Sequence, residues 1–102
     1  MQVTEVDITF VKPKDGVIAF ASVVLDDQLY LSGIAIHSKL VGSGYRLTYP
    51  TRKVGETPFS LFHPIRKQVG LAIEQAIIDK LKNVMSRHYA GHNRFDAGST
   101  VL

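Results

Sequence analysis

Three features of the 102-residue sequence predict an α+β domain, a small antiparallel sheet packed with one C-terminal amphipathic helix. Apolar residues recur at period two, or run continuously, from Val3 to Tyr49. Short turn-forming clusters interrupt them, as in a meander of four to five strands. From Ile65 onward the apolar period becomes that of a helix. A half-buried sheet and a helix with one apolar stripe each need a partner surface, so two layers follow.

The first strand is expected from Val3 to Val11, with Val6, Ile8 and Phe10 on one face and Glu5, Asp7 and Thr9 on the other. Lys12-Pro13-Lys14-Asp15-Gly16 reverses the chain, because proline fixes one turn angle and Asp-Gly supplies positive φ. Val17 to Leu25 is apolar at nearly every position and rich in β-branched residues, as a central strand should be. A short Asp26-Asp27-Gln28 turn leads to a third strand, Leu29 to His37. Gly42-Ser43-Gly44 breaks the pattern and Tyr45 to Tyr49 resumes it as a fourth strand. Pro50 to Pro58 has the composition of a loop, and Phe59 to Phe62 offers a short fifth strand.

Ile65, Val69, Ala72, Ile73, Ala76, Ile77, Leu81 and Val84 form one helical stripe, which predicts a helix from Pro64 to about Met85. Pro64 suits a first turn, where its missing N–H has no helical partner. Residues 1–85 are thus expected to be a single domain and 86–102 a flexible tail with two glycines and no sustained period.

The hydrophobic fraction of 45% and charged fraction of 21% are those of a folded globular chain. No apolar run reaches the roughly 18 residues of a membrane span, and no secretory signal is visible, so no membrane association is expected. Zero cysteines exclude disulfides, thiolate metal sites and cysteine nucleophiles, and suit a reducing cytoplasm.

Charge is unevenly spread. Residues 1–38 carry Lys12 and Lys14 against Glu5, Asp7, Asp15, Asp26 and Asp27, a net charge of −3. Residues 39–67 carry Lys39, Arg46, Arg52, Lys53, Arg66 and Lys67 against Glu56 alone, a net charge of +5. Such a middle attracts polyanions, although a solvated face has the same composition. Arg52 and Lys53 sit together on the expected loop, and Arg66 and Lys67 in the expected first helical turn. Cations at a helix N-terminus oppose its dipole unless an anion is bound between them. The two pairs are therefore a candidate phosphate clamp flanking His63-Pro64, with Lys39 and Arg46 peripheral. Tyr45 and Tyr49 offer either a stacking face or packing at a sheet edge.

Little else suggests chemistry. His63 can cap the helix, contact an anion or act as a base, with Ser60 and Glu56 nearby in sequence but no motif linking them. His88, His92 and Asp96 have the spacing of metal ligands on a helix, but Gly91 and Asn93 disfavour a helix there, and a solvated tail is the better reading. Gly42-Ser43-Gly44 lacks the Gly-Lys-Ser/Thr ending of a phosphate loop and precedes a strand. No catalytic residue, metal, cofactor or small-molecule substrate is expected.

Four segments, in this order and spacing, carry a resemblance: Val3-Thr4-Glu5-Val6, Ala21-Ser22-Val23-Val24-Leu25-Asp26, Tyr49-Pro50-Thr51-Arg52-Lys53 and His63-Pro64-Ile65. Together they resemble the SpoVG family, the stage V sporulation protein G or septation regulators, over roughly residues 1–85. The resemblance implies a homodimer and a site-preferring DNA- and RNA-binding regulator that is not an enzyme. It carries over Arg52 and Lys53, after Pro50, as nucleic-acid contacts. Two departures stand out. Gly70 and Ala72 occupy positions where family members commonly have a basic residue, and the segment after Met85 lacks acidic character. Two alternatives are a protein-interaction adaptor using a sheet edge or helix face, and a structural dimer subunit of a larger assembly.

Overall fold

The computed structural model describes residues 1–39, 41, 42 and 44–99, with side chains as far as Arg87. Its main sheet has four antiparallel strands in the order β1-β2-β3-β4: β1 (Val3–Lys14), β2 (Val17–Leu25), β3 (Leu29–Ser38) and β4 (Tyr45–Thr48). A two-stranded sheet follows, β5 (Thr51–Val54) with β6 (Thr57–Ser60), and then one helix, α1 (Lys67–Ser99). The α+β class and the meander are as expected.

The central run Val17–Leu25 is indeed interior, between β1 and β3. Its alternate residues Ala19, Ala21, Val23 and Leu25 are buried. Register sets Ile8 beside Ala21 and Val6 beside Val23, on the same face as Ile34 and Ile36 of β3. From the helix come Ile73, Ile77 and Leu81, spaced i, i+4, i+8, as one helical face requires. These side chains fill one continuous core, and every buried residue in it is apolar. The turns follow their chemistry. Asp15 and Gly16, the two-residue β1–β2 turn, have φ of 55° and 85°, and Asp26 and Asp27, in the three-residue β2–β3 turn, have 53° and 55°, the left-handed pair that tight hairpin turns use.

Three expectations need correction. First, β1 runs to Lys14 rather than Val11, with Pro13 inside a register shift between Phe10 and Lys14. An edge strand accommodates proline there because no ladder hydrogen bond is lost. Second, Pro50–Pro58 is not a loop but most of a hairpin, with Thr51 opposite Ser60 and Val54 opposite Thr57. Gly55, at φ 65°, takes the first central position of its two-residue turn, where positive φ is needed. Third, the helix begins at Lys67, so Pro64 precedes it and Ile65 stands 89% exposed, off the apolar stripe. The helix also continues through 86–99, past the Met85 limit set by the apolar period.

Gly70 faces Pro64: a Cβ added there would meet the proline Cγ at 3.4 Å, the near edge of ordinary contact. Because glycine costs roughly 1 kcal/mol relative to alanine inside a helix, Gly70→Ala is expected to raise stability by about 0.5 kcal/mol. A lowered melting temperature would show instead that Pro64 cannot give way.

Candidate nucleic-acid interface

Lys67 is the first helical residue, and the Arg66 carbonyl accepts from the N–H groups of Val69 and Gly70, both at 3.1 Å. Arg66 thus stands where Ser, Thr, Asp or Asn would normally cap the helix with an acceptor oxygen. The first turn also holds no acidic residue. Positive charge is placed against the positive end of the dipole, as expected from the sequence.

A cleft of about 630 Å³ opens between this helix start and β4. Lys39, Arg46, Arg66 and Lys67 all line it, and Glu74 is the one carboxylate among its lining residues. The two residues set aside as peripheral, Lys39 and Arg46, therefore border the same cleft as the helix pair. Their contributions differ. Arg46 pairs with His37 across the β3–β4 ladder, while Tyr45 and Leu47 belong to the opposite, helix-facing set. Strand alternation puts the Arg46 side chain on the far face of the sheet, where the neighbouring His37 Nε2 and Thr48 Oγ1 lie 2.8 Å apart. Arg46 borders the cleft from the strand edge. Lys39, Arg66 and Lys67 are its cations.

Arg52 and Lys53 line neither this cleft nor the neighbouring groove. They lie on β5, whose residues are all exposed. Arg52 is opposite Phe59 and Lys53 opposite Pro58. Consecutive strand residues point to opposite faces, so the two cations do not form one patch. Arg52 shares a hairpin face with Val54, Thr57 and Phe59; Lys53 shares the other with Thr51, Pro58 and Ser60.

Both tyrosines are committed to packing. The Tyr45 hydroxyl donates to Met85 Sδ at 3.6 Å, and Tyr49 meets Phe62 edge to face with ring centroids 5.9 Å apart. Of the two roles open in the sequence, sheet-edge packing is the one they have. Tyr49 is half-buried and forms a wall between the cleft and an apolar groove of about 340 Å³. Burial, then the nearby Glu74 carboxylate, raises its pKa above the usual tyrosine value of 10.0. The unfolded chain releases this proton first, so stability is full below about pH 10 and is lost as pH rises through the folded pKa. Tyr49→Phe is therefore expected to flatten the alkaline fall of the melting temperature; an unchanged profile would assign that fall to other groups.

His63 lines the apolar groove rather than the cationic cleft. Its Nδ1 lies 2.8 Å from Ser60 Oγ, and the Ser60 hydroxyl also donates to the Phe62 carbonyl at 3.3 Å. His63 thus clamps the exit of β6 and does not cap the helix. Glu56 sits in the hairpin turn, roughly 13 Å of strand from Ser60, too far to orient the imidazole. The side chains of His88, His92 and Asp96 lie outside the described residues, as does Ser43. No helix among the described residues is long and apolar enough to cross a membrane.

The missed feature is the strand character of Thr51–Val54. Its signal was present: Val54-Gly55-Glu56-Thr57 is a two-residue turn flanked by β-branched residues. Pro58 obscured it.

Comparison with known proteins agrees with this architecture. A protein-family model described as SpoVG matches residues 1–83, a span that contains the sheet, the hairpin and the helix start. A Finegoldia magna protein named "Putative septation protein SpoVG" is 34% identical over 82 residues, covering 78% of this chain and 73% of its own length. With fold, ordered segments and both matches in agreement, the chain belongs to the SpoVG family.

Proposed function

We propose that this protein is a cytoplasmic homodimer that binds DNA or RNA with sequence preference and acts as a regulator rather than a catalyst. One observation carries the reading. Lys39, Arg66 and Lys67 border a concave cleft at a helix start that lacks both an acceptor cap and an acidic first turn. Without a ligand this arrangement costs a few tenths of a kcal/mol per cation; a phosphate reverses the sign. Arginine forks onto two phosphate oxygens, while lysine adds a point charge. Arg52 and Lys53, exposed on opposite faces of the hairpin and outside the cleft, would add further phosphate contacts.

Two copies would make about four to eight phosphate contacts. Affinity for short DNA and RNA duplexes or single strands is then expected to fall roughly 10²- to 10⁴-fold between 50 and 200 mM salt. Fluorescence anisotropy across that range is the test. A salt-independent signal, together with purification free of nucleic acid, would transfer the protein to the class of interaction adaptors.

A further inference from the structure

The apolar groove is a second concavity at the helix start, and its chemistry differs from that of the cationic cleft beside it. Its volume of about 340 Å³ is that of a small-molecule site. Buried Leu25 and Ile73 are its floor, half-buried Leu31, Phe62 and Val69 its walls, and Leu29, 48% exposed, its rim. Against this lining stand two basic side chains, His63 and Arg66, and no carboxylate among the described residues. His63 Nδ1 is held by Ser60 Oγ at 2.8 Å, which leaves the ring Nε2 and the Arg66 guanidinium to meet a ligand.

Such a lining selects a molecule with an apolar body and one anionic head. The body leaves water for Leu25 and Ile73, and a guanidinium forks onto a carboxylate. A nucleobase fits less well, because its edge carries several donors and acceptors that apolar walls leave unpaired. Arg66 also lines the cationic cleft, and Tyr49, Pro64 and Ile65 are likewise shared by the two concavities. An anion held from the groove side therefore cancels one of the three charges that Lys39, Arg66 and Lys67 offer to phosphates.

We propose that the groove binds one free aliphatic carboxylic acid of medium chain length, its chain on Leu25 and Ile73 and its head on Arg66, and that this ligand opposes polyanion binding in the cleft. The site itself stands apart from the nucleic-acid reading; the antagonism rests on it. By linkage the opposition is mutual, so a polyanion weakens the acid as much as the acid weakens the polyanion.

Decanoate, kept below its micelle-forming concentration, is the probe, titrated into the full chain by calorimetry. Saturable binding of one molecule per chain is expected, with affinity rising about fourfold per methylene from hexanoate to decanoate. R66Q should bind decanoate about 10- to 100-fold more weakly. Decyltrimethylammonium, with the same chain and the opposite charge, should not bind. L29E, which sets a carboxylate on the exposed rim, should abolish binding with an unchanged far-UV circular dichroism spectrum. No heat at millimolar decanoate, equal binding by R66Q, or equal binding of decyltrimethylammonium would overturn the site. So would binding of deoxyadenosine monophosphate in place of decanoate, which would give the groove to a base. For the antagonism, excess decanoate is expected to lower the salt slope of single-stranded DNA binding by about one unit per copy, and to leave the slope of R66Q unchanged. An undiminished wild-type slope would overturn it. A wild type that binds no nucleic acid would sink the nucleic-acid reading and the antagonism together, while calorimetry decides the groove separately.

Discussion

Replacing Arg66 and Lys67 together by alanine is expected to remove about four units from the salt slope of nucleic-acid binding. Two cations are lost per copy, and each phosphate contact contributes roughly one unit to the slope. Of four to eight contacts this is half or more, so binding at 150 mM salt should be lost while weak binding at 50 mM survives. The fold should be indifferent. Both residues are exposed, and alanine at the helix start removes the charge that opposes the dipole. A variant with wild-type slope and affinity would mean that the helix start is not where phosphates sit. Lys53→Ala should subtract about two further units.

The largest expected effect on stability is at Ile77. Its side chain is fully buried at the middle of the helical stripe, one turn from both Ile73 and Leu81. Truncation to alanine removes three buried carbons and leaves a cavity between helix and sheet. The cost should be about 2–5 kcal/mol, against a total stability for such a domain on the order of 5–15 kcal/mol. In a chain of this size, about 3 kcal/mol corresponds to a melting temperature lowered by roughly 12–24 °C. A fall smaller than about 5 °C in a thermal melt would show that the helix is not held by this stripe. Ile65→Ala is the matched control: 89% exposed, it should change the melting temperature hardly at all.

How much of this was legible in the sequence follows from which forces dominate at each segment. Val17–Leu25 and the stripe Ile73, Ile77, Leu81 were legible because hydrophobic burial sets both, and burial leaves its period in the chain. The hairpin was not. Its residues are all exposed, so no sustained apolar period marks them, and Pro58 argues against a strand unless it lies at an edge. The helix start was misplaced by three residues because Pro64 is equally welcome in a first turn or just before one. Beyond Met85 the helix passes Gly91 and Gly98, each unfavourable by roughly 1 kcal/mol relative to alanine, and no pattern there announces it.

The candidate site was legible only as a set of charges. Composition found the cationic segment, but not its division. Lys39 joins Arg66 and Lys67 because β3 ends where the helix begins, a juxtaposition made by topology across more than twenty residues. Arg52 and Lys53, adjacent in sequence, are parted by strand alternation. Proximity along the chain was misleading in both directions.

That alternation has an evolutionary consequence. Point substitutions in Thr51–Val54 can alter one face of the hairpin while leaving the other untouched, so the contacts of its Arg52 face and of its Lys53 face can drift independently. Inserting or deleting one residue between Thr51 and Val54 is different in kind. It would turn over the side chains on one side of the change relative to those on the other, or force a bulge, and so mix the two surfaces. Within the lineage, the length of this four-residue strand should therefore be held more tightly than the identity of any residue in it.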